Sequence, residues 1–374
     1  MSLRQHRNTY AEVNLQAIYH NVQAMKRQLK KETKMIAVVK ANGYGHGAIQ
    51  VAKTALQAGA DYLAVALLEE ALELRKAGID APILVFGYVH PKDAQVAASN
   101  RFTLTVYHKE WLEEVKKHLL TEPLHIHMKI DTGMGRVGLR LEEEIQTFFD
   151  VLEGIENVFL TGVYTHFATA DDMKMNMFEQ QKETFEQLLY YVQKRATERL
   201  CVHTSNSAAS IREPHDTHQA IRFGVAMYGL YPSEDIYNLH SIQLRRAFSL
   251  HSEIIHIKKV KKDSIISYGA TYTARDDEWI ATLPIGYADG WSRSLQGFHV
   301  LIDGKKCEIV GRICMDQMMI KVDQYYPIGT KATLIGEQKG TEIAIDEVAE
   351  YLGTINYEIP CMLTNRIPRR YKNR

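Results

Sequence analysis

Residues 35–47 read Met-Ile-Ala-Val-Val-Lys-Ala-Asn-Gly-Tyr-Gly-His-Gly. The first five are apolar and partly β-branched, which predicts a buried strand that ends at Lys40. Gly43, Gly45 and Gly47 follow, so we expect a tight turn that brings bare backbone close to a ligand. Apolar surroundings disfavour an ammonium, and a neutral amine is a nucleophile toward carbonyl groups. Lys40 is therefore a candidate nucleophile, although a snorkelling lysine before an ordinary strand-to-helix loop would give the same pattern.

Seven more short apolar runs follow this strand. The eight predicted strands are residues 35–39, 62–66, 83–86, 102–106, 125–130, 161–166, 200–203 and 221–227. Between several of them, apolar residues recur at three- and four-residue spacing, as at 69–77 and 178–195, which predicts helices. Eight strand-helix units of this length indicate a (β/α)8 barrel, and a first helix at 15–29 precedes them.

The pattern changes after about residue 240, where strand-like runs become dense and turn residues frequent. These runs are residues 251–257, 278–283, 299–302, 308–310, 318–322 and 331–335. Asp303-Gly304 is typical of a hairpin turn, and residues 345–351 predict one short helix. The predicted fold is α/β: a TIM-like (β/α)8 barrel at 1–240 and a mainly β domain at 241–374.

Composition narrows the class of protein. Lys+Arg and Asp+Glu are both 45, so nothing global points to nucleic acid or to an anionic membrane. No apolar run is long enough for a transmembrane helix, and the polar first ten residues do not resemble a secretory signal. The four cysteines are far apart, which favours free thiols in the cytoplasm over a zinc site or disulfides. Two basic segments, 258–262 and 366–374, are interpreted as solvated surface.

Polar groups follow several of the predicted strands. The carboxyl ends of barrel strands are where functional groups gather, and this rim would receive Lys40, Lys129, Arg136, His166, Ser207, Arg222, Gly224 and Val225. Each has a plainer interpretation: His166 as a hydrogen-bonded core histidine, Arg136 as a surface charge, Ser207 as a helix N-cap. Convergence of such groups from five strands favours a functional site.

Residues 38–47 resemble the pyridoxal-phosphate attachment segment of alanine racemases, although Gly43 stands where alanine is common in that family. Eight further segments resemble their family counterparts in the same order: 129–138, 164–171, 203–208, 222–229, 267–272, 284–290, 311–317 and 356–361. The resemblance covers nearly the whole chain. It implies a racemase of the fold-type III class with pyridoxal 5'-phosphate as cofactor.

The resemblance also implies roles for individual residues. Lys40 would attach the cofactor and take the α-proton of D-alanine, and Tyr268 would take that of L-alanine from the opposite face. Arg222 would contact the pyridine nitrogen, with His166 beside it linking Arg222 to Tyr268. The cofactor phosphate would be held by Tyr44, Ser207, Gly224, Val225 and Tyr357.

The remaining implied roles concern the substrate and the assembly. Arg136 would contact the cofactor phenolic oxygen and the substrate carboxylate, which the backbone N–H of Met315 would also bind. Lys129 is the position that is carbamylated in many members, and Tyr287 would stand at the entrance. The family forms a head-to-tail homodimer in which the β domain of one subunit covers the barrel of the other. D-alanine for peptidoglycan would be the product.

Three other classes of protein compete with this interpretation. A pyridoxal-phosphate carrier protein on the same barrel lacks the β domain, so residues 240–374 disfavour it. A decarboxylase of related architecture places a glutamate at the pyridine nitrogen, so Arg222 and Tyr268 disfavour that class. A racemase for serine or a broader substrate set would need smaller groups than Tyr357 and Tyr287. These two tyrosines are the only residues that distinguish alanine from such substrates here.

Overall fold

The computed structural model describes residues 6–118 and 120–372. Residues 373 and 374 of the predicted basic tail, and the first five residues of the polar N-terminal segment, lie outside the described residues. The chain divides into two compact units. One comprises Ala17–Gly43 and Ala48–Arg245 and is called the barrel unit; the other comprises Met1–Gln16, Tyr44–Gly47 and Arg246–Arg374 and is called the β unit.

The strands are numbered in chain order. They are β1 Tyr10–Asn14, β2 Lys34–Val38, β3 Tyr62–Val65, β4 Ile83–Val85, β5 Phe102–Val106, β6 Leu124–Lys129, β7 Val158–Tyr164, β8 Cys201–His203, β9 Ala220–Phe223, β10 Phe248–Glu253, β11 His256–Val260, β12 Ile265–Ile266, β13 Tyr272–Thr273, β14 Glu278–Leu283, β15 His299–Ile302, β16 Lys305–Glu308, β17 Met318–Val322, β18 Lys331–Gln338, β19 Thr341–Ile343 and β20 Arg369–Lys372.

The helices follow the same numbering. They are α1 Leu15–Gln28, α2 Lys40–Tyr44, α3 Ala48–Gln57, α4 Leu68–Lys76, α5 Ala94–Ser99, α6 Lys109–Val115, α7 Glu142–Leu152, α8 Met177–Arg195, α9 Ser207–Arg212, α10 Glu234–Asn238, α11 Ile345–Leu352 and α12 Glu358–Met362. Short 3-10 helices lie at Pro91–Asp93, Val225–Tyr228, Tyr268–Ala270, Tyr287–Asp289 and Arg293–Leu295. None of the helices in the described ranges is long and apolar enough to cross a membrane.

The barrel unit is built on eight parallel strands in the order β8-β7-β6-β5-β4-β3-β2-β9. The backbone N–H of Arg222 donates to the carbonyl oxygen of Ser205 at 2.9 Å, which links β9 to the end of β8. Parallel strands covered by helices are buried on both faces, and most apolar residues of these strands are buried accordingly, although Phe159 of β7 is exposed. The predicted barrel and all eight of its strands are therefore confirmed.

Two strands of the barrel differ from prediction by more than one residue at an end. β9 ends at Phe223 because the backbone leaves the extended region at Gly224, and a 3-10 helix begins at Val225. β7 begins earlier than predicted and contains a bulge: Ile126 pairs with Leu160, whereas the next residue, His127, pairs with Gly162. This bulge places a glycine opposite His127.

The β unit contains a sheet in the order β16-β15-β18-β10-β1-β20, with β19 paired to β18, and a smaller sheet in the order β11-β14-β17. Asp303 and Gly304 join β15 to β16 with φ of 54° and 82°, the left-handed conformation that a two-residue hairpin turn requires. The predicted hairpin is confirmed, as is the helix near 345–351.

Two sequence predictions for the β unit were wrong, and one strand was not predicted. The run 251–257 is two strands, because β10 pairs with β18 whereas β11 pairs with β14 in the other sheet. The run 308–310 is not a strand: β16 ends at Glu308, and Ile309 makes an isolated bridge to Ile320. Strand β1 was not predicted; it pairs with β10 and β20, so residues assigned to the barrel domain belong to the β unit. The division at 240 and 241 itself stays a prediction.

Candidate active site

Lys40 follows Val39, the residue after the end of β2, and begins the segment α2, whose backbone forms a left-handed turn rather than a regular helix. The φ angles of Ala41, Asn42, Gly43 and Tyr44 are 52°, 52°, 61° and 49°. For residues other than glycine this conformation costs about 1–2 kcal/mol each, and asparagine tolerates it best. Three of these four residues are not glycine, so the turn beside the candidate nucleophile is strained.

Side chains of the barrel unit hold this turn in place. The carboxylate of Glu70 accepts hydrogen bonds from the backbone N–H groups of Ala41, Ala66 and Leu67, at 2.6, 2.8 and 3.1 Å. The side-chain oxygen of Asn42 accepts from the N–H of Ala48 at 3.0 Å, at the start of α3. The glycine-rich segment predicted the turn, but nothing in the sequence pattern had singled out Glu70.

Arg222 on β9 is a deeply buried cation of the predicted site, with 4% of its surface exposed. Its two terminal nitrogens donate to the carbonyl oxygens of Thr165, His203 and Thr204 at 2.6–2.8 Å, and to the Nδ1 of His203 at 2.9 Å. Burial lowers the pKa of the guanidinium to about 10, which still leaves it charged at neutral pH. The Nε–H is the one donor of this group that has no acceptor within the described residues.

His166 lies beside Arg222. Its Nδ1 is 3.4 Å from the Nη2 of Arg222, and its backbone oxygen accepts from Gln181. Burial, together with the charges of Arg222, Lys129, Arg136 and Lys40, holds the pKa of His166 well below its usual range, so the imidazole is neutral at pH 7. The influence of Lys40 and Arg222 on one ring places three predicted site residues in the same neighbourhood.

Lys129 is buried at the end of β6. Its amine donates to the carbonyl oxygen of Ile130 at 2.7 Å and lies 5.3 Å from the ring centre of Tyr164. Burial and the charges of Arg222 and Arg136 lower its pKa to about 7. Arg136 itself is exposed on the loop after Asp131, whose carboxylate accepts from the N–H groups of Gly133 and Gly135.

Ser207 and the turn after β9 are joined directly. The Ser207 hydroxyl oxygen accepts from the N–H of Gly224 at 2.9 Å and from that of Ala226 at 3.5 Å. The interpretation of Ser207 as a helix N-cap is wrong, because the side chain of Asn206 accepts from Ala209 and caps α9. Since the Ser207 oxygen accepts both bonds, its hydrogen points elsewhere and is available to an anion.

Within the β unit, Tyr44 and Tyr357 pack against each other. Their ring centres are 6.3 Å apart, with an angle of 48° between the planes. Burial raises the pKa of the Tyr44 phenol, with further contributions from Tyr357 and Cys361, so this hydroxyl keeps its proton and remains a hydrogen-bond donor. Two predicted phosphate contacts are thus neighbours.

The three remaining predicted residues lie on loops of the β unit that bond to one another. The N–H groups of Tyr287 and Ala288 donate to the carbonyl oxygens of Cys314 and Met315, at 3.1 and 3.0 Å. The hydroxyl of Ser267, next to Tyr268, donates to the carbonyl of Arg312 at 2.6 Å. The N–H of Met315 meets no acceptor in the part of the chain that is described.

Tyr268, Tyr287 and Met315 share exposure at the surface of the β unit. Tyr268 is 68% exposed, and Met315 and Tyr287 are also exposed. Large apolar and aromatic groups held on tied loops at the surface are typical of a surface that contacts a ligand or another chain.

The side chains of His203, His127 and Tyr164 were missed as site residues. His127 and His203 are hydrogen-bonded, His203 contacts Arg222, and the ring of Tyr164 stacks on His203. Their sequence signal was the recurrence of polar residues at every second position in otherwise apolar strands, as at His127 and Lys129 of β6. Such a pattern indicates a polar barrel interior.

Comparisons with known proteins agree over both units. The profile of the family described as alanine racemase, N-terminal domain, matches residues 13–232, and that of the C-terminal domain matches residues 247–371. An alanine racemase of Anoxybacillus flavithermus is 52% identical over 367 residues, covering 97% of this chain and 94% of the relative.

Solved structures agree as well. The crystal structure of alanine racemase from Bacillus anthracis with bound L-Ala-P has a TM-score of 0.97 at 48% identity, covering 99% of this chain and 96% of that one. A histidine racemase from Leuconostoc mesenteroides has a TM-score of 0.88 at 28% identity, covering 98% and 99%. The predicted resemblance and the prediction of an enzyme are confirmed: the chain belongs to the alanine racemase family.

Proposed function

We propose that this protein interconverts L-alanine and D-alanine with pyridoxal 5'-phosphate, using Lys40 and Tyr268 as bases on opposite faces of the substrate Cα. Membership of the family supports the reaction. The observation that carries the cofactor proposal is Arg222, a buried cation whose terminal nitrogens are saturated by protein acceptors while its Nε–H is left over.

The residues present fit the cofactor. The Nε–H of Arg222 suits a pyridine nitrogen, which is an acceptor when unprotonated. The hydroxyls of Ser207, Tyr44 and Tyr357 and the backbone at Gly224 and Val225 would hold the phosphate by hydrogen bonds without a lysine. When bound, pyridoxal phosphate joins covalently to an amino group and withdraws electrons from the adjacent carbon, which makes the α-proton of an amino acid removable.

Two bases then account for inversion. The amine of Lys40, at the end of β2, takes the α-proton of D-alanine from one face and returns a proton there in the reverse direction. The phenol of Tyr268 does the same for L-alanine on the other face. Since tyrosine ordinarily titrates near pH 10, Tyr268 needs a polarising partner, and the proposed partner is neutral His166 backed by Arg222.

Arg222 also decides which reaction follows proton removal. A guanidinium donates a hydrogen bond but does not transfer its proton at ordinary pH, so a ring nitrogen held by Arg222 would stay unprotonated. A ring held in this way would withdraw electrons less strongly than one held opposite a carboxylate. Return of a proton to Cα is favoured over transamination.

Arg136 and Lys129 are proposed to act on the carboxylate side of the substrate. The N–H of Met315 and the guanidinium of Arg136 would bind the substrate carboxylate. Lys129 is proposed to carry a carbamate, which would change a cation that repels Arg136 into an anion that pairs with it. A pKa lowered to about 7 supports this, because carbon dioxide adds to a neutral amine.

Lys40 belongs to the barrel unit and Tyr268 to the β unit. We propose a head-to-tail homodimer in which each Tyr268 acts with the Lys40 of the other subunit. The proposed role is supply of D-alanine for peptidoglycan in the bacterial cytoplasm, and alanine racemases of Bacillus subtilis and Listeria innocua are among the relatives.

One solved structure of similar fold is a histidine racemase, so the fold alone does not determine the substrate. Tyr287 and Tyr357 support a small side chain such as a methyl group. The alternative is a racemase for serine or a broader set of amino acids.

The test is a chiral assay of the purified protein with pyridoxal phosphate and L-alanine in deuterium oxide. Accumulation of α-deuterated D-alanine toward an equal mixture is expected, with parallel reactions on L-serine, L-lysine and L-histidine setting specificity. Bound cofactor without turnover of any amino acid would contradict the proposal and favour a carrier protein. Release of carbon dioxide would indicate a decarboxylase.

A further inference from the structure

Arg222 is a buried charge without an anionic partner. No carboxylate of residues 6–118 or 120–372 forms an ion pair with it, and each of its acceptors is neutral: three carbonyl oxygens and imidazole nitrogens. A buried cation held only by neutral acceptors depends on the lone pair of each one being available.

Arg222 fixes the position of the protons in the imidazole next to it. A guanidinium is always the donor, so the Nδ1 of His203 accepts at 2.9 Å and the proton of His203 lies on Nε2. That nitrogen is 2.9 Å from the Nδ1 of His127, which therefore accepts in turn. The proton of His127 lies on its Nε2. Three side chains from β9, β8 and β6 thus form one directed chain of hydrogen bonds.

The barrel makes room for this chain. A Cβ on Gly162 would lie 2.5 Å from the Nε2 of His127, so only glycine fits there, and the β7 bulge brings that glycine opposite His127. The ring of Tyr164 stacks on His203 with centres 4.6 Å apart and planes 15° apart. The Tyr164 hydroxyl is in turn 2.9 Å from that of Thr105. Both imidazoles are therefore held by packing as well as by hydrogen bonds.

We propose that His203 and His127 are positioning residues that act as a neutral relay, fixing Arg222 so that its Nε–H is directed at the cofactor ring nitrogen. The inference rests on the proposed function, since it concerns the same cofactor. It assigns a role to two histidines that contact neither the reacting atoms nor the cofactor phosphate.

Neutrality is essential to the relay. If the Nδ1 of His203 were also protonated, the ring would be a cation, and two donors with positive charge would face each other at the contact with Arg222. Burial lowers the pKa of His127 to about 3, with a smaller effect from His125. Burial also holds the pKa of His203 well below the ordinary range, with smaller effects from Arg222, His127, Lys129 and His218.

Two substitutions at one position separate the contacts. The side-chain oxygen of His203→Asn reaches the place of Nδ1, so it still accepts from Arg222 but cannot reach His127. The longer side chain of His203→Gln reaches the place of Nε2 and leaves Arg222 without that acceptor. Each variant is loaded with pyridoxal phosphate labelled with nitrogen-15 in the ring, and the ring resonance is compared with that of the wild type.

The ring resonance is expected to be displaced in both variants: slightly in His203→Asn, which loses only the contact to His127, and more in His203→Gln, which loses the contact to Arg222. Release of the cofactor should be about tenfold faster in His203→Gln, from loss of one hydrogen bond to a charged group. Identical resonances in the two variants would overturn the relay and leave the proposed function standing. A wild-type protein that binds no pyridoxal phosphate would overturn both.

A second measurement needs no variant. In wild-type holoenzyme labelled with nitrogen-15 histidine, the resonances of His203 and His127 should be those of neutral rings protonated on Nε2. They should not titrate between about pH 6 and about pH 9. Titration of either ring in that range, or a proton on Nδ1 of either, would disprove the relay even if the substituted proteins fail to fold.

Discussion

Arg7 binds the carboxylate of Asp289 with both terminal nitrogens, at 3.1 and 2.8 Å, and Asp289 is fully buried. The same carboxylate accepts from the N–H of Gly286 at 3.0 Å and lies 3.5 Å from Arg366. Asp289 thus sits within the loop that carries Tyr287 and fixes it to two arginines. An N-terminal residue and a C-terminal one meet at this loop.

Asp289→Asn should lower the stability of the protein strongly. Removing one partner of a buried ion pair costs about 3–5 kcal/mol, because the other charges lose their compensation. Asp316→Asn is the matched control, since Asp316 also binds Arg366, at 2.7 Å, but is exposed, and its loss should cost less than about 1 kcal/mol. The stability of the two variants is compared by thermal unfolding. Equal losses of stability would contradict this role of Asp289.

Lys40→Ala and Tyr268→Phe should complement each other. If Lys40 and Tyr268 act together across a subunit interface, a mixed dimer of the two inactive variants contains one intact site. Random exchange of equal amounts should then restore about a quarter of the wild-type activity. The activity is measured before and after subunit exchange. No recovery in dimers shown by mass to be mixed would place both bases in the same subunit.

Lys129 should react with carbon dioxide in a pH-dependent way. Its pKa is lowered to about 7, so the neutral amine that forms a carbamate is present above that pH and is lost as the pH falls through it. With carbon-13-labelled carbon dioxide held at one concentration, a protein-bound carbamate signal should be stronger at about pH 8 than at about pH 6. The signal should vanish in Lys129→Gln. A wild-type protein without the signal would refute the modification.

His251 should make the protein less stable in mild acid. Burial lowers its pKa to about 3, and its nitrogens contact Ser249 and Thr333. Between pH 3 and the unfolded-state value near 6.5, the unfolded chain binds more protons, so the free energy of unfolding falls as the pH falls. The loss for this residue is about 2 kcal/mol between pH 7 and pH 5.

The substitution His251→Asn should remove that part of the pH dependence, measured as the difference in melting temperature between pH 7 and pH 5. His256→Asn is the control, because His256 is exposed on β11 and its loss should leave the difference unchanged. If the difference in melting temperature between pH 7 and pH 5 is the same in His251→Asn as in the wild type, His251 is not the cause of the loss of stability in acid.

Ala41→Gly should stabilise the protein. The φ of 52° at Ala41 is unfavourable for a residue with a Cβ, and glycine relieves this by about 1 kcal/mol. Ala41→Val should have the opposite effect, since branched residues adopt this conformation least readily. The melting temperature reports both. Stabilisation by valine would show that packing, not backbone conformation, dominates at this position.

The sequence predicted the barrel because each strand is an apolar run of the right length between helical patterns. It failed at β1, whose five residues, Tyr-Ala-Glu-Val-Asn, carry only a weak alternation and gain their identity from pairing with β10 and β20. Local patterns do not reveal a partner that lies hundreds of residues away along the chain.

The residues of the candidate site likewise fall into those that the sequence could predict and those that it could not. Residues in segments with a specific order of side chains, such as Lys40 and Arg222, could be singled out. Glu70 could not, because a glutamate in the first turn of a helix is ordinary and its bond to Ala41 exists only in the folded barrel. The relay of His203 and His127 likewise depends on two strands being brought together around a glycine.

The four left-handed residues after Lys40 have a consequence for chirality. Their backbone is that of a mirror-image helical turn, so an amino acid of the D configuration would fit there better than its L counterpart. A semisynthetic protein with D-alanine at position 41 should keep the methyl group and lose the strain. The backbone beside the candidate nucleophile therefore favours a residue of the same configuration as the D-alanine that the protein is proposed to make.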